Sequence, residues 1–148
     1  MNKINSLRKF FKSLAIDGYL IPKNDEYFNE YVAESKDRLK FISNFSGSAG
    51  FAIILKNKNY LFVDGRYTIQ AKKQSGEKFK IFEIPLIWPR NIFSSCKNKL
   101  NIGFDPKLFT YNSLNHYFSN TCTLSPINED LFYKKNNKAL NINKFYNL

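Results

Sequence analysis

The chain has 148 residues, of which 43% are hydrophobic and 17% aromatic. This is enough to form one domain with its own core, and it excludes a disordered protein. No apolar run approaches the roughly 20 residues that span a bilayer. Residues 1–5 are polar and lack the apolar region of a signal peptide. We therefore expect a cytoplasmic protein with no membrane partner.

The net charge of +11 has two possible explanations. A basic surface can bind nucleic acid or another acidic surface. Alternatively, the abundant Lys, Asn, Ile, Phe and Tyr can all be encoded by A and T alone, so the charge can follow from base composition. The basic residues are mostly lysines dispersed along the chain, whereas dedicated phosphate and base readers use Arg forks. We therefore favour base composition as the explanation and expect no nucleic-acid partner, and we keep a basic nucleic-acid-binding module as the alternative function.

The first half of the chain predicts a helix, a strand and a β-hairpin. Apolar residues at helical spacing in 3–15 predict a helix that ends at Asp17-Gly18. A short strand follows over 19–21, and 23–37 are expected to be irregular or a short helix. The apolar runs 51–55 and 60–63 predict the hairpin, closed by an Asn-rich turn. Because these runs do not alternate with polar residues, we expect both faces to be covered.

The second half alternates helices and strands. The pattern predicts helices over 66–75, after Pro89 and after a cap at Thr110. Strands are predicted over 79–84, 100–104 and 121–124, with the second of them half-buried. The expected fold is therefore α/β, with a mixed sheet of about six strands and flanking helices. Residues 1–133 would form the domain, and 134–148 a linker or loose C-terminal tail.

Four acidic residues form a possible carboxylate cluster: Asp25, Glu26, Glu30 and Glu34. Clustered carboxylates can perform acid–base chemistry or hold metal ions. With no nearby histidine, we favour a solvated face instead. Arg38 follows the cluster, and its planar guanidinium predicts a fixed ion pair with one of these acids.

The remaining catalytic inventory is small. His116 is the only histidine and has no ligand-spaced Cys, Asp or His, so we expect a structural or exposed residue. Ser48 lies in Gly-Ser-Ala-Gly, which matches neither a phosphate-binding loop nor a nucleophile turn. Cys96 and Cys122 have no metal spacing and are expected to be reduced thiols. These residues predict no catalytic group and no metal site.

Two spaced motifs carry a resemblance to a known family. The first is Phe45-x-Gly47-Ser48-Ala49-Gly50, and the second is Asp64-Gly65-Arg66-Tyr67. Together with Ile102-Gly103-x-Asp105-Pro106, they resemble the N-terminal domain of aminopeptidase P, the creatinase N-terminal type. This Xaa-Pro aminopeptidase belongs to the pita-bread metallopeptidase superfamily. The likeness runs from about residue 7 to residue 131, with departures at Glu34, Asn44 and Ser46.

The resemblance implies a sheet fold related in layout to ribonuclease H. It also implies that the family's two metal ions, typically manganese, are held by a separate C-terminal domain absent from this chain. We therefore expect a non-catalytic domain that shapes substrate access and holds no cofactor. Its partner would be a separate catalytic chain or a second copy, although a gene remnant is equally compatible with the sequence.

Asp64, Arg66 and Tyr67 are the candidates for the substrate mouth or domain interface, because strand ends in α/β sheets are where sites gather. The alternative is that Asp64 and Arg66 form contacts that fix their turn. Gly47, Ser48, Gly50 and Gly65 are predicted to shape the two turns, and Gly47 and Gly50 to need positive φ or close packing.

Overall fold

The computed structural model describes residues 2–28 and 32–132. Within these ranges, the helices are α1 (Lys3–Arg8), α2 (Phe11–Leu14), α3 (Arg38–Ser43), α4 (Thr68–Ser75), α5 (Pro89–Phe93) and α6 (Tyr111–Phe118). The strands are β1 (Gly18–Pro22), β2 (Gly50–Leu55), β3 (Asn59–Asp64), β4 (Lys80–Ile84), β5 (Asn101–Phe104) and β6 (Thr123–Pro126). The predicted tail over 134–148 lies outside the described residues, as do Glu30 and Tyr31.

The six strands form one mixed sheet in the order β4-β3-β2-β1-β5-β6. β2 is antiparallel to both of its neighbours, and the other pairings are parallel. Five strands therefore finish at the same end of the sheet, where β2 begins. We call this the carboxyl end of the sheet and the opposite one the amino end. The expected mixed sheet of about six strands with flanking helices is confirmed.

The predicted hairpin is formed by β2 and β3. Phe51 pairs with Phe62 and Ile53 with Tyr60, and the Leu55 N–H donates to the Lys58 carbonyl at 2.8 Å to close the turn. Since β1 covers the other side of β2, the hairpin lies inside the sheet and not at its margin.

Both faces of the sheet are covered, as the unbroken apolar runs predicted. On one face, Tyr19 and Ile21 of β1 pack in a core with residues of α1–α4; on the other, Leu20 packs in a core with residues of α5 and α6. Successive side chains of a strand point to opposite faces, so one run supplies both cores. The result is three layers, helix–sheet–helix.

The predicted helix over 3–15 is wrong in its continuity and its end. It is divided into α1 and α2, and it ends where Ala15 adopts a left-handed conformation with φ 56°. Gly18 does not stop the helix, because it already pairs with Leu55 and Ile102 in the sheet. A side chain at Gly18 would meet the Leu55 side chain at 2.5 Å, so close strand packing explains the glycine.

The predicted half-buried character of the strand over 100–104 is also wrong. Ile102, Gly103 and Phe104 are all buried. A Cβ at Gly103 would lie 3.0 Å from the Ile16 side chain. The space beside Gly103 is therefore filled by Ile16, and the glycine is buried although the alternating pattern predicted exposure. The last strand begins at Thr123, two residues later than predicted, because the turn after α6 extends through Cys122.

Candidate functional site

The carboxyl end of the sheet brings the two sequence motifs together. The first motif enters β2 and the second leaves β3, and these strands are adjacent. Pro22 lies beside them because it pairs with Phe51. The antiparallel placement of β2 therefore turns two distant stretches of sequence into one surface.

The first motif forms a turn built around the buried Phe45 ring. Asn44 ends α3 in a left-handed conformation with φ 67°, as a residue tolerant of positive φ can. A Cβ at Gly47 would lie 2.3 Å from the Phe45 ring, so the chain passes too close to it for any side chain. Gly50 has φ +154°, and its Cβ would lie 2.9 Å from the Phe62 carbonyl oxygen. Close packing thus accounts for Gly47, and positive φ for Gly50.

The second motif is organised by Asp64. Its Oδ1 accepts hydrogen bonds from the Arg66 backbone N–H at 2.9 Å and from Arg66 Nε at 3.1 Å. The Arg66 backbone N–H, followed by its guanidinium, lowers the pKa of the Asp64 carboxyl. The Arg66 side chain is nevertheless 72% exposed, and its guanidinium lies 5.3 Å from the Tyr67 ring centre. Asp64 and Arg66 therefore fix the turn together, while the cation faces outward.

Tyr67 joins the two motifs. Its hydroxyl lies 2.5 Å from Ser48 Oγ, and its ring meets Phe45 edge-on with centres 6.0 Å apart. Ser46 adds a second link, since Gln70 and Gln74 of α4 both donate to its Oγ. Ser48 thus bonds to a phenol and not to an imidazole, so this pair lacks the base that activates a nucleophile.

A cleft of about 320 Å³ opens beside the first motif. Its walls include Pro22, Lys23, Ser48, Phe51 and Tyr117. Tyr117 stacks on Phe51 with ring centres 4.3 Å apart, and burial raises the pKa of its hydroxyl. Lys23 is engaged with Asp37 at 2.6 Å. The cleft is therefore suited to hold a small group between aromatic walls and a neutralised cation.

Arg38 forms an ion pair that the sequence did not predict. Arg38 is buried and its Nη2 donates to Asp130 at 3.0 Å, 92 residues away and outside the predicted carboxylate cluster. Asp105 is buried in the same region, and desolvation raises the pKa of its carboxyl. Burial, with further contributions from Asp105 and Asp130, also raises the pKa of Tyr19. The sequence did not predict this cluster of Arg38, Asp105 and Asp130, because Asp130 has no local feature that distinguishes it from an ordinary loop residue.

The predicted carboxylate cluster does not form a metal site in the described residues. Asp25 is buried and accepts the Tyr27 backbone N–H at 3.0 Å. Glu26 bonds Lys36, and Glu34 lies 3.6 Å from Lys40. Across residues 2–28 and 32–132, no group of three or more His, Cys, Asp or Glu could hold a metal ion. Glu30 is outside the described residues.

His116 and the cysteines lie away from the two motifs. The His116 ring meets Trp88 edge-on at 4.4 Å, and its carbonyl accepts from Arg90. Cys96 is exposed and lies beyond the end of α5, and Cys122 is buried. Both are free thiols. No helix in the described part of the chain is long and apolar enough to cross a membrane.

Comparison with known proteins agrees with the motifs. Residues 3–131 match the family model of the Creatinase/Prolidase N-terminal domain. The chain therefore belongs to this family, and it is an N-terminal domain of the aminopeptidase P type.

Its curated relatives are much longer than the chain. It is 35% identical over 112 residues to a probable Xaa-Pro aminopeptidase P of Coprinopsis cinerea, covering 73% of this chain and 18% of the relative. It is 45% identical over 117 residues to aminopeptidase P2 of Arabidopsis thaliana, covering 73% of this chain and 16% of that one. The chain thus spans less than a fifth of the length of these relatives.

Solved structures show the same fold. An X-prolyl aminopeptidase of Caenorhabditis elegans, described as a cytosolic enzyme with a di-nuclear active site, superposes with a TM-score of 0.77 at 27% identity. That match covers 89% of this chain and 24% of the nematode chain. A separately solved creatinase/prolidase-like N-terminal domain from Corynebacterium diphtheriae has a TM-score of 0.62 at 18% identity, over 84% of this chain and 93% of that one.

Proposed function

We propose that this chain is a non-catalytic domain of an Xaa-Pro aminopeptidase-like metallopeptidase, and that the carboxyl end of its sheet meets the catalytic domain at the substrate entrance. Manganese chemistry would belong to that domain, on the same chain or a separate one. Similarity to Xaa-Pro aminopeptidases of Coprinopsis cinerea and Arabidopsis thaliana, and to the cytosolic nematode enzyme, supports this proposal and a cytoplasmic location.

One observation carries the proposal: the large exposed apolar side chains of the described residues all follow the carboxyl end of a strand. Tyr27 and Phe28 follow β1, Ile69 lies in the helix after β3, Leu86 and Ile87 follow β4, and Tyr111 begins the helix after β5. Exposed apolar groups gathered on one side of a domain mark a surface that a partner covers.

Arg66 is the proposed polar contact within that surface. Asp64 accepts a hydrogen bond from Arg66 Nε, and the rest of the guanidinium projects outward. Arg66 is therefore preorganised to bind a carboxylate of the partner or of a peptide. The aromatic cleft beside Ser48 would lie next to it, since Ser48 and Tyr67 are in contact.

The test is a chimera in which this chain replaces the matching domain of the Arabidopsis relative, assayed on an Ala-Pro peptide with manganese. We expect turnover, and we expect Arg66→Ala to raise KM about tenfold, which corresponds to about 1.4 kcal/mol. Lys80→Ala at the amino end serves as the control and should leave KM unchanged.

Three results would count against the proposal. A folded chimera without turnover would contradict the domain role. If Arg66→Ala lowered stability but left KM and kcat unchanged, the role of Arg66 would be limited to stabilising the turn that it forms with Asp64. Hydrolysis by the isolated chain would show that it is catalytic after all.

A further inference from the structure

Eight lysines from separate stretches of the sequence meet at the amino end of the sheet. The segments that reach this end are 8–17, 55–59, 76–80, 94–101 and 119–123. Together they carry nine Lys or Arg side chains and two carboxylates, Asp17 and Glu77. Base composition explains how many lysines the chain has, but not why so few carboxylates accompany those at this end.

Hydrogen bonds connect these segments into one continuous surface. Asn59 Nδ2 donates to the Lys78 carbonyl at 3.0 Å, and Arg8 donates to both Asn59 and the Leu55 carbonyl at 2.7 Å. Lys56 lies 3.4 Å from Asp17, whose other oxygen accepts from the Asn101 N–H. With strands about 4.8 Å apart, the basic row from β4 to β5 is about 19 Å long.

The opposite end of the sheet is close to charge balance. Segment 23–49 leaves β1 and enters β2 at the carboxyl end, and four ion pairs involve its residues: Lys23–Asp37, Lys36–Glu26, Arg38–Asp130 and Lys40–Glu34. Asp64 and Arg66 form a fifth pair there. At the amino end, the ion pair that the described residues show is Lys56–Asp17. The positive potential is therefore concentrated on one side of the domain.

We propose that the amino end of the sheet binds the phosphate backbone of nucleic acid without reading its sequence. The row contains exposed lysines, among them Lys58, Lys78, Lys80 and Lys99. Each ammonium group is a single charge on a flexible side chain, which can bind one of several closely spaced phosphates. Arg8 cannot act as a base-reading fork there, since its guanidinium is bonded to Leu55 and Asn59.

The chemistry of this end favours nucleic acid over other acidic partners. Surfaces that bind membranes pair basic residues with exposed Trp, Phe or Leu, and the large exposed apolar residues of the described chain lie elsewhere. Protein interfaces draw their affinity from Trp, Tyr and Arg, whereas this row exposes no Trp or Tyr and its one arginine, Arg8, is half-buried. The same lack of exposed aromatic rings removes base stacking, so binding should rest on backbone charge alone.

The test is fluorescence anisotropy of a labelled 20-base-pair DNA duplex with the full chain at about 50 and 200 mM NaCl. We expect log affinity to fall linearly with log salt, independently of sequence. Replacing Lys58, Lys78 and Lys80 with Gln should weaken binding about tenfold or more at the lower salt. Each lost phosphate contact should reduce the salt slope by about 0.9.

The matched control replaces three lysines on the other side, Lys36, Lys40 and Lys107, with Gln, which changes net charge equally. It should alter affinity less than about twofold, since those side chains lie away from the row. Replacing Lys58, Lys78 and Lys80 with Arg should preserve binding and shows that charge is what matters. Circular dichroism melting establishes that each variant is folded.

Three results would overturn the proposal. One is no binding to the duplex at the lower salt. Another is an equal loss in both Gln variants, which would mean that net charge alone drives association. The third is sedimentation with phosphatidylserine vesicles but no DNA binding, which would assign the surface to anionic membranes.

Discussion

At the scale of single residues, Arg38 has the most demanding environment. Its side chain is 4% exposed, and its ion pair with Asp130 joins α3 to the segment after β6. Breaking a buried pair by removing one partner leaves the other charge uncompensated in a poorly solvated site. Arg38 is therefore a determinant of stability, and the pair ties α3 to the C-terminal end of the described chain.

Replacing Arg38 with Ala should lower the free energy of unfolding by about 3–5 kcal/mol, measured by urea denaturation. Lys40→Ala is the control, because its contact with Glu34 is exposed and should be worth about 1 kcal/mol or less. Equal losses in the two variants would show that the buried Arg38–Asp130 pair contributes no more to stability than an exposed ion pair.

Asp105 gives a prediction about pH. Burial raises the pKa of its carboxyl in the folded state above that in the unfolded chain. The folded state therefore holds the proton more tightly, and this residue reduces stability as pH rises from the unfolded pKa through the folded one. Asn at this position stays neutral and can still accept the Lys107 N–H.

We therefore expect the stability of Asp105→Asn relative to the native chain to increase as pH rises from the unfolded pKa of the carboxyl through its raised folded pKa, then level off, with each pKa unit contributing about 1.4 kcal/mol. Unfolding free energies at matched pH values would measure it. If the difference in unfolding free energy between the two proteins stayed constant or shrank with rising pH, burial would not raise the pKa of the Asp105 carboxyl.

At the scale of elements, the entry into β2 is the most constrained backbone. Gly50 combines φ +154° with a close approach to the Phe62 carbonyl. Gly50→Ala should therefore cost about 1–3 kcal/mol, observed as a lower Tm. Ser48→Ala in the same turn loses one exposed hydrogen bond and should cost about 1 kcal/mol or less. The prediction fails if Ala is tolerated at Gly50 as well as at Ser48.

The elements show what the sequence could predict. Local signals sufficed for the β2–β3 hairpin, for the end of α4 at Gly76 and for the Thr110 cap, whose Oγ1 accepts the Ser113 N–H at 3.1 Å. Gly103 misled the prediction, since a position without a side chain looks exposed in an alternating pattern. The Asp130 partner of Arg38 could not be found, because no local pattern records a contact across 92 residues.

The candidate site was found in part by the same reasoning. The motifs named Asp64, Arg66, Tyr67 and the two turns, and the structure brings Ser48 and Tyr67 into contact. The cleft wall formed by Tyr117 was missed, because its stacking on Phe51 depends on how α6 crosses the sheet. The concentration of lysines at one end was missed because strand order is needed to see it.

At the scale of the whole molecule, separation of charge should make stability depend on salt. The lysines of the amino end repel one another at low ionic strength, where the screening length exceeds their spacing. Raising NaCl from about 20 to 200 mM should therefore increase Tm. The chain with Gln at Lys58, Lys78 and Lys80 should melt higher at low salt and respond less. An unchanged Tm in both chains would show that this repulsion is weak.

The central position of β1 has a consequence for synthesis on the ribosome. Its β2 neighbour is translated soon afterwards, so β1 to β4 can assemble once residue 84 has emerged. Its other neighbour, β5, is completed only at residue 104. Until then β1, a central strand of the finished sheet, is an unpaired edge strand that can pair with a strand of another chain. Slow translation between these two points should therefore promote aggregation more than slowing anywhere else in the gene.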